Sequence, residues 1–167
     1  MSNKSVAEIH LNPTRHGLDT ETRQSAVELL NARLADAIDL ELQAKQAHWN
    51  VKGPNFIGLH ELFDKVAAAA AAFKDEIAER AVMLGGVAVG TAQAVVERTT
   101  LAPYPVEAQD WKSHVDGVSS ALAKFGTALR QGIEDADELD DAVTADLLTG
   151  IAHEVDKYMW FVEAHRG

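Results

Sequence analysis

The sequence predicts an all-α protein, a bundle of four long helices whose one long crossover carries a short additional helix. Three observations lead there. Apolar residues recur at three- and four-residue intervals through four separate stretches. No stretch alternates apolar with polar residues as a half-buried strand does, and no unit of roughly 20 to 50 residues repeats. The connections between the four stretches run short, long, short, so the helices point up, down, down and up. With 167 residues, 47% of them apolar, the chain is long enough for one good core. The expected organisation is a flexible tail over 1–20 and a single bundle domain over 21–167.

Residues 1–20 carry His10, Pro13, His16 and Gly17 without a clear period, which reads as a loosely ordered tail. From about Thr22, the residues Val27, Leu30, Leu34 and Ile38 fall at helical spacing, and the pattern continues towards Trp49. Residues 50–55 break it, because Gly53 and Pro54 favour a turn and a proline restricts the residue before it. A second helix runs from about Ile57 to Leu84, where Gly85 and Gly86 stop it. The connection that follows, with Gly90, Pro103 and Pro105 as breakers, is long enough to cross from one end of a bundle to the other and holds a short helix near Ala92 to Glu97. Trp111, Val115, Val118, Leu122, Phe125 and Leu129 mark a third long helix ending near Gly132. An acidic loop comes next: Glu134, Asp135, Asp137, Glu138, Asp140, Asp141 and Asp146 occur with no Lys or Arg among them. The last helix, from about Ala142, places Leu148, Ile151, Val155, Tyr158 or Met159, and Val162 on one side.

Composition excludes several chemistries. Cysteine is absent, so disulfides, thiolate zinc sites and cysteine nucleophiles are ruled out. The N-terminus lacks the apolar run of a signal peptide, and the longest wholly apolar stretch, 66–73, is far too short to span a bilayer. A cytoplasmic protein with no membrane partner is the expectation. A formal charge of −11 repels nucleic acid and attracts cations.

The second helix carries most of a candidate metal site. At about 100° per residue, Asp64, Asp75 and Glu79 lie about 40°, 60° and 100° around the axis from His60, so all four project from one face. His48 reaches the same end of the bundle from the close of the first helix. The pair His60/Asp64 is nevertheless about 22 Å along the axis from Asp75/Glu79, so one metal cannot touch both pairs of one helix. A second copy packed antiparallel about a two-fold axis removes the difficulty, since each His60/Asp64 end then meets the other copy's Asp75/Glu79 end and two identical sites form. The axis would cross near residues 69 and 70, inside a run of six alanines over 67–72 whose small side chains permit close approach. Imidazole and carboxylate suit Fe(II), Mn(II) or Zn(II), and an incomplete shell leaves positions for an oxidant. Trp49, next to His48, is a candidate electron donor. The competing reading is a solvated charged face with ordinary histidines.

Rival motifs fail. His60-Glu61 has Asp64 where a zinc-peptidase helix needs its second histidine, and His153-Glu154 has Lys157 there. No histidine of the chain has a Glu three residues before it, which excludes the paired Glu-x-x-His of di-iron bundles. No glycine-rich phosphate loop or nucleophile elbow occurs. His10, His16, His114, His153 and His165 read as surface or satisfied residues rather than ligands.

The segment Lys45-Gln-Ala-His48-Trp49-Asn-Val-Lys-Gly-Pro-Asn-Phe-Ile-Gly-Leu-His60-Glu61-Leu-Phe-Asp64, with Asp75-Glu-Ile-Ala-Glu79-Arg80-Ala and Leu84-Gly85-Gly86 after it, strongly resembles the Dps proteins, the miniferritins. With the four-helix, one-crossover pattern, itself the ferritin-like arrangement, the resemblance covers nearly the whole chain. It implies a hollow shell of twelve subunits with ferroxidase sites at two-fold interfaces. His48, His60 and Asp64 would come from one subunit and Asp75 and Glu79 from its mate. The implied chemistry is oxidation of Fe(II), preferably by hydrogen peroxide, and storage of ferric mineral inside the shell, with Zn or Mn as substitute metals. Iron and peroxide are then removed together, which protects the cell and its DNA from oxidative damage. The family's three-fold pores, lined by carboxylates near the start of the last helix, make Asp141 and Asp146 candidates for admitting iron. DNA as a partner stays open. Family members that bind it resemble one another in a Lys-rich terminal extension, whereas the tail here offers Lys4 and Arg15 against Glu8, and twelve copies multiply a charge of −11. A nucleoid-condensing protein with secondary iron chemistry, or a zinc-holding bundle without redox work, are the alternatives.

Overall fold

A computed structural model of the chain describes residues 10–166. The helices among them are α1 (Thr20–Asn50), α2 (Phe56–Met83), α3 (Ala92–Arg98), α4 (Trp111–Glu138) and α5 (Ala142–Glu163), with no strand among the described residues. Three long helices start on an aspartate whose carboxylate accepts a free amide of the first turn: Asp19 from Thr22 N at 2.9 Å, Asp110 from Ser113 N at 3.0 Å, and Asp141 from Thr144 N at 3.1 Å. Each carboxylate satisfies an orphan donor and complements the positive end of the helix dipole.

Helix α2 stops where its sequence demands. Gly86 N donates to Ala81 O at 3.0 Å and Gly85 N to Val82 O at 2.9 Å, a pair of bonds that closes a helix through a left-handed residue, here Gly85 at φ +88°. Gly86 cannot be replaced either, since a Cβ there would lie 2.5 Å from the methyls of Val27. The same closure ends α4, with Asp141 N on Ala136 O, Asp140 N on Asp137 O, both at 3.0 Å, and Asp140 at φ 54°.

That closure corrects one expectation. Helix α4 runs past Gly132 to Glu138, so Glu134, Asp135, Asp137 and Glu138 belong to its last turns rather than to a loop. Gly132 costs the helix about 1 kcal/mol in propensity. It is retained inside the helix because α5 lies against it: a Cβ there would come within 3.0 Å of Leu148 Cδ1.

Helix α1 packs along α2 and α4, and α5 along α4 and α2, which is the up, down, down, up arrangement. The core is drawn from all four: Val27, Leu30 and Leu40; Leu59, Phe63 and Ile77; Val115, Leu122 and Phe125; Leu148 and Val155. Each such side chain contributes about 1.5–3 kcal/mol on burial. Polar residues of α1 are also buried, because they hold the crossover. Asn31 donates to Val87 O at 3.0 Å and accepts from Val89 N at 2.8 Å, Asp36 accepts from Thr100 N at 2.6 Å, and Gln43 donates to Ala102 O at 3.0 Å. Arg33 pairs with Asp36 at 2.8 Å and donates to Ala128 O, so the one buried charge pair of α1 also reaches α4.

Part of the expected tail is fastened. Asn12 N donates to Gly85 O at 2.7 Å, and Leu11 and Leu18 pack against the core. Lys4 and Glu8 lie outside the described residues. Among the described residues no helix is long and apolar enough to cross a membrane.

Candidate metal centre

The close of α1 and the opening of α2 meet at the turn after Val51. Gly53 sits at φ +117°, and a Cβ there would lie 3.0 Å from Trp111 Cδ1, so backbone conformation and packing both call for glycine. The turn brings His48 and His60 face to face, with ring centroids 3.8 Å apart and planes inclined by 23°. His48 Nδ1 lies 2.7 Å from His60 O, and His60 Nδ1 lies 2.8 Å from His48 O. A carbonyl only accepts, so each Nδ1 carries the proton and donates. In the neutral ring this tautomer puts the lone pair on Nε2, which is the form that binds a metal. The His48 carbonyl belongs to the last turn of α1, where carbonyls lack helical partners, so the lock also closes the helix end.

Asp64 follows His60 by one turn and is exposed. Its carboxylate accepts from Lys45 Nζ at 2.7 Å. That hydrogen bond, reinforced by the charge of Lys45, holds the Asp64 carboxyl below the usual carboxylate range. Trp49 is 65% exposed, and the same ammonium lies 5.8 Å from the centre of its ring. Lys45 had no part in the site as read from sequence. The available signal was its position three residues before His48, which places both on one helix face.

Asp75 and Glu79, at the far end of α2, are exposed, and their carboxylates make no hydrogen bond or ion pair to another described residue. Among the described residues no three His, Asp or Glu side chains of one chain converge as a metal-holding group. The structure thus brings His48 to His60, sets Asp64 beside them, and leaves Asp75 and Glu79 apart.

The two carboxylates suggested for admitting iron differ from each other. Asp146 is exposed. Asp141 is 2% exposed, caps α5, and pairs with Arg80 of α2 at 2.7 Å while Thr144 donates to it from both backbone and side chain. Its oxygens are occupied by structural bonds, so a solvent-facing role does not suit it. Of the remaining histidines, His10 and His153 are exposed and His114 is buried, with Nδ1 2.6 Å from the Tyr104 hydroxyl.

The sequence matches the ferritin-like domain family over residues 27–167. It is 41% identical over 152 residues to the DNA protection during starvation protein of Agrobacterium fabrum, covering 91% of this chain and 94% of that relative. Among solved structures, the tetragonal form of Mycobacterium smegmatis Dps superposes with a TM-score of 0.87 at 36% identity, covering 92% of this chain and 94% of that one. Dps from Microbacterium arborescens, solved in its high iron form, gives a TM-score of 0.82 at 32% identity, covering 93% and 98%.

Proposed function

The chain belongs to the Dps family of ferritin-like proteins, and from that premise we propose that it is a ferroxidase and iron-storage protein whose sites form only between two copies. The observation that carries this reading is the His48/His60 lock, which presents two Nε2 lone pairs beside Asp64 at one end of α2. Asp75 and Glu79 stand bare at the other end. A two-fold axis through the alanine run of α2 superimposes the two ends, so His48, His60 and Asp64 of one chain join Asp75 and Glu79 of the next.

Fe(II) is the substrate. Two imidazoles and three carboxylates bind it with hard and borderline donors, as Zn(II) or Mn(II) would also be bound, and the carboxylates offset the charge that grows on oxidation. Hydrogen peroxide fits as oxidant because it takes two electrons: two Fe(II), one peroxide and two protons give two Fe(III) and two waters. Trp49 supplies a nearby oxidisable ring. The shell is a homododecamer near twelve times the 18.0 kDa of one chain, its ferric mineral stored within. Asp146 remains the candidate for admitting iron. Protection of DNA, the property in the Agrobacterium relative's name, follows without DNA contact, since iron and peroxide are consumed together. Such work places the protein in the cytoplasm. Nucleoid condensation through the N-terminal segment is the alternative, and Arg15 is the one Lys or Arg that the described part of that segment, residues 10–19, brings to it.

The double variant His48→Ala/Asp75→Ala tests the site. Peroxide-driven Fe(II) oxidation, followed by absorbance of the ferric product, is expected to fall at least a hundredfold while a shell of unchanged mass still forms. Oxidation at the parental rate in an intact shell overturns the proposal.

A further inference from the structure

Half-buried Tyr104 and buried His114 form a hydrogen-bonded pair that the iron chemistry above does not use. His114 is 1% exposed and lies in the first turns of α4. The Tyr104 hydroxyl stands 2.6 Å from its Nδ1, and the two rings are inclined by 20°. The tyrosine is held in place from several sides. Pro103 and Pro105 flank it in sequence, and its ring rests on Gly117, where a Cβ would come within 2.9 Å of Tyr104 Cε2. Among the described residues the other edge of the imidazole, Nε2, is buried without a hydrogen-bond partner of normal geometry. Its electrostatic neighbour is the backbone of Asn50, the last residue of α1. Asn50 is two residues beyond His48, about 3 Å of helix rise.

Two shifts set the resting protonation. Burial pushes the Tyr104 phenol up to about 12, so it stays protonated. Burial also lowers His114, against the opposing charge of Asp110, so its imidazole is neutral and Nδ1 is an acceptor. A phenol that must keep its proton at rest gives up an electron readily only if a base takes that proton in the same event. The base is already in hydrogen-bond contact.

We propose that Tyr104, with His114 as its proton acceptor, is a one-electron donor that quenches the radical formed when a lone Fe(II) at the His48/His60 site meets hydrogen peroxide. This rests on the ferroxidase reading. One Fe(II) supplies one electron, giving Fe(III), hydroxide and a hydroxyl radical. Tyr104 then gives one electron to that radical, which becomes hydroxide, and passes its phenolic proton to His114 Nδ1. The products are a neutral tyrosyl radical and an imidazolium, with charge and atoms conserved. The pair serves turnovers in which a second Fe(II) is missing, and the oxidising equivalent stays inside the protein.

The chain has two tyrosines, Tyr104 and Tyr158, so a Tyr158→Phe background leaves one source of a tyrosyl signal. The assembled protein is loaded with one Fe(II) per site, mixed with hydrogen peroxide and freeze-quenched for electron paramagnetic resonance, with iron oxidation measured on the same samples. A tyrosyl signal is expected in the Tyr158→Phe protein, lowered at least tenfold by Tyr104→Phe, which keeps the ring and removes only the hydroxyl. In deuterated solvent the signal of the Tyr158→Phe protein should lose a proton coupling from the imidazolium, and His114→Asn in the same background should abolish that coupling. Iron oxidised with no tyrosyl signal, or with a signal that Tyr104→Phe leaves intact, overturns the donor; a tyrosyl signal without an exchangeable coupled proton overturns the role of His114. Iron left unoxidised in the parental protein overturns instead the ferroxidase reading on which the donor depends.

Discussion

The two ends of α2 carry the two halves of the proposed centre and are built in opposite ways. At the N-terminal end His48 and His60 are stacked and locked by reciprocal bonds of 2.7 and 2.8 Å, and Asp64 is held by Lys45. At the C-terminal end the carboxylates of Asp75 and Glu79 are exposed and bond to nothing described. The difference follows from the donors. An imidazole offers one lone pair in one direction, so it has to be aimed and its tautomer fixed before metal arrives. A carboxylate has about four acceptor positions on two oxygens and tolerates a range of approaches. In the proposed centre one chain would fix the demanding donors and lend the tolerant ones to its neighbour, and iron oxidation would then depend on assembly.

The largest effect comes from separating the halves onto different chains. A His48→Ala/His60→Ala chain and an Asp75→Ala/Glu79→Ala chain are each expected to be inactive when assembled alone. Co-assembled in equal amounts, half of the two-fold pairs are mixed, and each mixed pair holds one intact site, so about a quarter of the parental Fe(II) oxidation should return. A centre contained in one chain predicts no recovery, and activity near zero in verified mixed shells would break the comparison.

A smaller effect tests how the fastened half is held before metal binds. Lys45 occupies Asp64, so a metal has to displace it. Replacing Lys45→Gln removes an exposed ion pair of the kind that holds only weakly, so binding at the two-fold site should tighten by about two- to fivefold. Anaerobic titration with Zn(II) measures it. Unchanged or weaker affinity would mean that Lys45 supports Asp64 and does not compete for it.

The fold was legible because local chemistry marks its elements: apolar residues at helical spacing in four stretches, Gly85 and Gly86 as a stop, Gly53 and Pro54 as a turn. The spacing along α2 likewise told that its two ligand pairs cannot meet within one chain. What escaped the sequence depends on distant partners. Gly132 looked like a helix end, and only Leu148 across the bundle explains why it lies inside α4. Asp141 sat in an acidic run that invited a solvent role, yet Arg80, 61 residues away in sequence, draws it into the interior. Asn31 and Asp36 are polar yet buried, because the crossover covers them, and nothing local in the sequence marks that.

The smallest expected effect concerns what supports the fastened half. His114 lies beside the end of α1, and its pKa is lowered from 6.5, chiefly by burial. Above 6.5 folded and unfolded chains are both neutral there and the contribution to stability is complete. As pH falls below 6.5 the unfolded chain binds a proton that the folded one refuses, so stability declines until the folded value is reached. The loss should be local before it is global, because protonated His114 is pressed against the Asn50 backbone and the Tyr104 hydroxyl rather than against α2's far end. Amide exchange between pH 7.5 and 5.5, corrected for intrinsic rates, is expected to quicken around residues 48–53 and to stay constant around Asp75 and Glu79. His114→Asn should flatten the difference. Equal quickening at both ends of α2 would mean that the two halves of the centre share one stability, and the contrast between a fastened and a free half would have to be given up.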